Sequence, residues 1–286
     1  MRKTIVQFAV FALSLSTVAL VRAADAPLGT KRPKVLQIFK EEVKPGRQPA
    51  HEKSEAGWPA ALRKANNKGY YLAMGSGNEV WFLNPFDSFA AVEAQGKEDE
   101  ANPALGAELD RLWAVDGELL SKTGAMTAVL NEDLGFRADW DVAKMRYYVV
   151  TVVRLQPGYG HDYEQVRKMI TAAHEKAKVD ERWAAFEIIT GAQDDTYVFL
   201  SPIASLAEWD KYEAMHGKVY QEALGEDGRS RLRDFNKVAV RSSETKLFRF
   251  RPKMSYLPKE LTDRDPDFWT PKPAATPPVK KDEKKP

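Results

Sequence analysis

The residues of this chain that could do chemistry are few, and most stand alone. Glu187 sits within Ala185-Phe186-Glu187-Ile188-Ile189, an apolar strand-like run. A carboxylate there needs water or a partner. Buried, it would titrate high and could serve as a general base; at an exposed edge it would be a surface group. In Val35-Leu36-Gln37-Ile38-Phe39-Lys40-Glu41, a two-residue period places Gln37, Phe39 and Glu41 on one face and Leu36 and Ile38 on the other. If the aliphatic set packs under helices, Gln37 and Glu41 face a ligand; otherwise Glu41, near the strand end, meets solvent. Trp81 and Tyr197 fall on strand pairs further on and could flank a flat apolar molecule or fill a core. Gln37, Glu41, Trp81, Glu187 and Tyr197 are therefore the expected pocket residues, with Glu187 as the candidate base.

The four histidines, His51, His161, His174 and His216, show no pairing at the four-residue spacing of a helical metal site. No His-x-Glu motif or cysteine accompanies them, so no metal site is expected. A haem would need only one axial histidine, for which His216 and His174 are the candidates; as surface or capping residues they would need no cofactor at all. No cofactor is otherwise expected. The sequence offers no nucleophile elbow and no phosphate-cradling glycine loop, and Gly75-Ser76-Gly77 is too short to be one.

These side chains are positioned by a pattern the chain repeats. Lys44-Pro45-Gly46 and Gln156-Pro157-Gly158 each close an apolar run and precede a helical stretch. Trp81-Phe82-Leu83-Asn84-Pro85 is echoed by Val198-Phe199-Leu200-Ser201-Pro202. A period this long indicates a duplicated domain rather than a solenoid. Within each copy the order is strand, helix, hairpin, helices, strand. In the first copy the helix after Pro49 should kink or restart at Pro59. In the second, the last helix should run from Val219 to Phe235, with the closing strand beginning at Lys237 and interrupted at Ser242-Ser243-Glu244. The expected fold is α+β: two tandem ferredoxin-like βαββαβ units, residues 34–133 and 146–250, packed through their sheets around an internal cavity. Matching the copies sets Gln37 against Val149, Glu41 against Val153 and Leu72 against Glu187. The shared fold leaves those positions free to vary.

An apolar strand ending in Pro-Gly, then a helix, a hairpin and a terminal helix and strand, resembles the dimeric α/β-barrel superfamily. Lys44-Pro45-Gly46 and Gln156-Pro157-Gly158 are similar to the pattern of its NIPSNAP-type and antibiotic-biosynthesis-monooxygenase-type domains. The resemblance implies a barrel formed within one chain, a monomer holding an internal pseudo-dimer or a higher oligomer of it. It also implies one of several activities: cofactor-independent oxygenase, haem degradation, chlorite-dismutase-like haem chemistry, isomerisation, or none.

The ends carry other information. Arg2 and Lys3 precede an apolar stretch from Ile5 to Val21, and Val21-Arg22-Ala23 suits a signal peptidase, so residues 1–23 read as a cleaved signal peptide and the mature protein as periplasmic or secreted. Nothing else in the chain is expected to span a membrane. Export permits disulfides, yet the chain has no cysteine, so its fold rests on packing. Loss of Arg2, Lys3 and Arg22 leaves 40 basic against 41 acidic residues, which excludes a basic nucleic-acid footprint. Residues 270–286, rich in Pro, Ala and Lys, read as a disordered tail. The expected function is an exported protein binding a small apolar or aromatic molecule between its sheets, as a cofactor-independent monooxygenase-like enzyme or, alternatively, as a non-catalytic envelope protein.

Overall fold

The computed structural model describes residues 28–270. The expected signal peptide and the expected disordered tail beyond Thr270 lie outside the described residues. Among the described residues, no helix is long and apolar enough to cross a membrane.

The first half contains strand β1 (Val35–Val43), helices α1 (Gln48–Glu55) and α2 (Gly57–Lys64), hairpin β2 (Leu72–Ser76) and β3 (Glu79–Phe86), helices α3 (Phe89–Glu100) and α4 (Pro103–Gly117), and strand β4 (Leu120–Leu130). The second half follows the same order with β5 (Tyr147–Leu155), α5 (Gly160–Ala177), β6 (Ala184–Thr190), β7 (Thr196–Ile203), α6 (Leu206–Gly217), α7 (Gly225–Ala239) and β8 (Val240–Phe250). Two short helices end it, α8 (Lys259–Thr262) and α9 (Pro266–Trp269).

Local chemistry explains the boundaries. Gly46 and Gly158, the glycines of the repeated Pro-Gly pair, take φ +77° and +89°, a left-handed turn that a side chain would resist. Ser88 and Ser205 cap α3 and α6 at matching positions, accepting from the backbone N–H of Ala91 and Glu208. Asn102 caps α4, with Pro103 in the first turn, where a missing N–H costs nothing. The helix after Pro49 restarts rather than kinks: α1 ends before Ala56, and Pro59 falls in the first turn of α2. Three boundaries in the second half depart from expectation. A π-helical stretch at Lys218–Ala223 separates α6 from α7; α7 continues to Ala239; and β8 passes through Ser242-Ser243-Glu244 without a break because β5 pairs with it throughout.

All eight strands close one antiparallel barrel in the order β1-β3-β2-β8-β5-β7-β6-β4. Within each half the order is the same: β4-β1-β3-β2 and β8-β5-β7-β6. The halves join edge to edge, β4 to β6 over four paired positions and β2 to β8 over two. The lumen is filled by side chains from every strand, among them Ile38, Met74, Trp81, Met126, Val150, Phe186, Val198 and Phe248. One end is sealed by Trp140 and Ala143 from the segment between the halves and by Leu257, Leu261 and Trp269 from the chain after β8. Outside the barrel, helices cover a separate core in each half.

This packing corrects the assignment of faces. Leu36 and Ile38 point into the lumen, whereas Phe39 and Val43 belong to the outer core of the first half, where Phe39 meets Trp113 of α4. Gln37 and Glu41 therefore face the helices. Strand β1 is buried on both sides, so alternation fixes which residues share a face without saying which face points inward.

Candidate functional site: the charged mouth of the barrel

The end of the barrel opposite the seal is open and charged. Lys40 and Trp81 are paired across β1 and β3, with Glu79 two residues nearer the mouth along β3 and Lys246 on β8. Lumen-facing positions that are apolar deeper in the barrel become polar here, at the strand ends. A cleft of about 540 Å³ opens among Lys40, Ser76, Glu79, Lys122, Gly124 and Lys246.

Its floor is a hydrogen-bonded chain. The Trp81 indole N–H donates to one Glu79 carboxylate oxygen at 2.6 Å, and Lys246 Nζ donates to the other at 2.5 Å. Lys246 also pairs with Glu244 at 3.0 Å. Burial works to raise the Glu79 carboxyl, but the bonds from Lys246 and Trp81 and the charge of Lys40 outweigh it and hold the group below its usual value. The Lys40 ammonium lies 4.9 Å from the Trp81 ring centroid, in cation–π range. Burial pushes the Lys40 amine down; Glu79 opposes this, while Arg154, Lys246 and Lys122 reinforce it. Lys246 is neutralised by two carboxylates, whereas no ion pair forms at Lys40 or Lys122 among the described residues. The mouth thus has two cations available to an incoming negative charge.

The five residues expected to form one pocket lie in three places. Trp81 is in the lumen beneath the mouth. Glu187 and Tyr197 face each other across β6 and β7 on the helix side of the second half. There Tyr197 is buried against Tyr163, and burial, followed by the charge of Glu187, pushes its phenol up to about 12. Gln37 is half-buried on the helix side of the first half. Glu41 is fully buried there, beside residues the sequence had not connected with it. His51 Nε2 lies 2.7 Å from Glu41 Oε2 and 3.6 Å from Asp116 Oδ2, and Glu55 completes the group. Burial pushes Glu55 up to about 10, reinforced by Glu41 and Asp116. Burial likewise raises Glu41, against the hydrogen bond from His51. The signal available in the sequence was His51 and Glu55, four apart on one helix and hence on one face. Histidine pairs, His-x-Glu motifs and cysteines do not include this His-x-x-x-Glu spacing.

The two haem candidates lie in different settings. His174 is buried, with Nδ1 at 2.8 Å from the Ile170 carbonyl and Nε2 at 3.1 Å from Glu181. Both ring nitrogens are thereby engaged. His216 is exposed at the end of α6 and rests on Tyr220, 4.4 Å between centroids.

No protein-family model matches the sequence, and no curated protein matches it. Solved structures do resemble the fold. An anthrone oxidase-like protein aligns over 79% of this chain and 95% of its own at 13% identity, with a TM-score of 0.49. A candidate monooxygenase from Lactobacillus acidophilus aligns over 77% and 94% at 9% identity, with a TM-score of 0.46. A mutant chlorite dismutase from Candidatus Nitrospira defluvii aligns over 82% and 96% at 10% identity, also with a TM-score of 0.46.

Proposed function

We propose that this is an exported binding protein whose barrel mouth takes a small planar anion, such as an aromatic carboxylate or a phenolate. The observation that carries this reading is the Lys40 ammonium held over the Trp81 indole at 4.9 Å, with Lys122 beside the same cleft. A filled lumen moves the site from between the sheets to the mouth, and two cations without ion pairs change the ligand from apolar to anionic. The targeting segment expected at residues 1–23 is what supports a place outside the cytoplasm. The matching element and strand orders of the two halves support their descent from one duplicated ferredoxin-like unit of the NIPSNAP or antibiotic-biosynthesis-monooxygenase kind. In the catalytic version, Lys40 would hold an electron-rich phenolate for cofactor-independent, oxygenase-like reaction with dioxygen. The packed lumen favours the non-catalytic version, because little room is left to enclose a substrate.

Benzoate titrated into the protein should give saturable heat by calorimetry and a change in tryptophan fluorescence. Lys40→Met should weaken binding by about tenfold or more, the scale of one charge-assisted contact. Trp81→Phe should keep the heat and lose most of the fluorescence change. Benzoate that binds Lys40→Met as tightly as the wild type would remove the mouth from consideration. Oxygen uptake with phenolic substrates separates the two versions.

A further inference from the structure

The buried group under the helices of the first half is composed unlike any ordinary core. Three elements supply it: Glu41 from the end of β1, His51 and Glu55 from successive turns of α1, and Asp116 from the last turn of α4. Their exposures are 3%, 2%, 3% and 0%. One donor atom from each lies within 4.8 Å of one from every other. Three carboxylates thus share a water-poor space with a single imidazole, and no lysine or arginine pairs with any of them among the described residues. Isolated buried carboxylates cost several kcal/mol each unless a cation or a proton answers them.

Asp116 gives the clearest sign of what is missing. Both of its carboxylate oxygens are buried and accept no hydrogen bond. No N–H reaches them; only a proton placed on Glu55 could. An acceptor pair of this kind, aimed into a cluster of other donor atoms, is suited to a cation.

The second half demonstrates that the fold does not need these groups. Aligning the copies at Pro45 and Pro157 puts Val153 at the place of Glu41, Tyr163 at that of His51 and Arg167 at that of Glu55. There Val153 and Tyr163 pack with Phe235 of α7 in one apolar core, and Arg167 lies over Trp183 and Phe199. The same shell between sheet and helices is closed in one copy by apolar side chains and one arginine laid on aromatic rings, and in the other by three carboxylates and an imidazole.

We propose that Glu41, His51, Glu55 and Asp116 form a binding site for one first-row divalent cation, of the Mn²⁺, Fe²⁺ or Zn²⁺ class. Three carboxylates suit a hard ion and the imidazole selects against calcium and magnesium, while the absence of thiolate disfavours Cu⁺. A metal held at about 2.0–2.2 Å from each donor needs donor separations of about 3–4.4 Å, so the widest pairs would close and the 2.7 Å His51–Glu41 pair would open, each by sub-ångström shifts, with the shared His51–Glu41 proton released. This site is separate from the mouth: Lys40 and Glu41 are neighbours in β1 with side chains on opposite faces.

The test is metal content and affinity in the full-length mature protein. Protein purified without chelator, or stripped with EDTA and reloaded with Mn²⁺ or Zn²⁺ alone, should carry one ion per chain by mass spectrometry. Bound Mn²⁺ should lose the six-line aquo spectrum in electron paramagnetic resonance. The stripped protein should melt at higher temperature when either ion is added. His51→Gln and Asp116→Asn should each weaken binding by more than the roughly 10- to 100-fold typical of groups that only orient a ligand. Circular dichroism of the stripped variants establishes that they fold. Asp116→Asn removes a buried charge, so a folded variant that binds no metal supports the site. Less than a tenth of an ion per chain after reloading, with melting unchanged by Mn²⁺, Fe²⁺ and Zn²⁺, would overturn the proposal. It would leave the group as carboxylates joined by shared protons. Benzoate binding at the mouth should be unaltered in both variants, so the two sites fail or stand independently.

Discussion

Gly191→Ala should be the most damaging glycine-to-alanine change in this chain, lowering stability by about 4 kcal/mol or more. Gly191 follows β6 at φ +84°, where the chain leaves the seam with β4. A Cβ there would lie 2.0 Å from the Ala125 carbonyl oxygen and 2.8 Å from Met126 Cα. Both are backbone atoms of β4, so no rotamer change relieves the clash. Relief requires β4 and β6 to part, and they are joined at only four paired positions, with a register shift beside Thr127. Gly77, at φ +58° in the β2–β3 turn, provides the control because a Cβ there meets nothing within 4 Å. Gly77→Ala should cost only the left-handed backbone, about 1–2 kcal/mol. In a chain of this size the first variant should melt roughly 10 °C or more below the wild type and the second only a few degrees below. Gly191→Ala should also bind more of an apolar dye as the lumen opens. Equal melting temperatures for the two variants would contradict this account of the seam.

The second large effect is a dependence on pH opposite to that of most carboxylates. In the unfolded chain Glu55 titrates near 4.5; in the folded, metal-free protein it keeps its proton up to about 10. The groups facing it are Glu41 from β1, His51 on its own helix, Asp116 from α4 and Tyr71 just before β2. Between those two pH values the folded state holds a proton that the unfolded state has released. The stabilisation is therefore complete below about 4.5 and declines as pH rises toward 10. The slope for one such proton is about 1.4 kcal/mol per pH unit at most. Glu41, also raised, adds to it in the same direction. EDTA-treated protein should be more stable in urea at pH 6 than at pH 8, by roughly 2 kcal/mol. Glu55→Gln mimics the protonated form, so it should flatten that difference and raise stability at pH 8. A wild type as stable at pH 8 as at pH 6, or a Glu55→Gln variant with an undiminished slope, would contradict a protonated Glu55.

Much of the fold was legible because repetition amplified weak signals. One Pro-Gly after a strand means little; two at matching positions, each with its glycine left-handed, mark the same turn twice. The hairpins were readable for the same reason. What the sequence could not convey was the sign of each face. Leu36 and Ile38 alternate with Phe39 and Val43 on a strand apolar on both sides, so either set could have entered the lumen. Glu41 reads from sequence as a pocket residue or a solvated strand end, because neither alternative requires a second carboxylate nearby. Its burial depends on α1 and α4 closing over it, and Asp116 lies 75 positions away in sequence. The mouth was missed for a related reason. Lys40, Glu79 and Lys246 come from three strands and become neighbours only when the ring closes.

The sealed end has a kinetic meaning. With Trp140, Leu257, Leu261 and Trp269 filling one end, the barrel is a cup rather than a tube, and whatever sits above Trp81 arrives and departs by the same opening. A product held there would compete with the next substrate for the one opening, and an abundant occupant would slow its successor simply by staying.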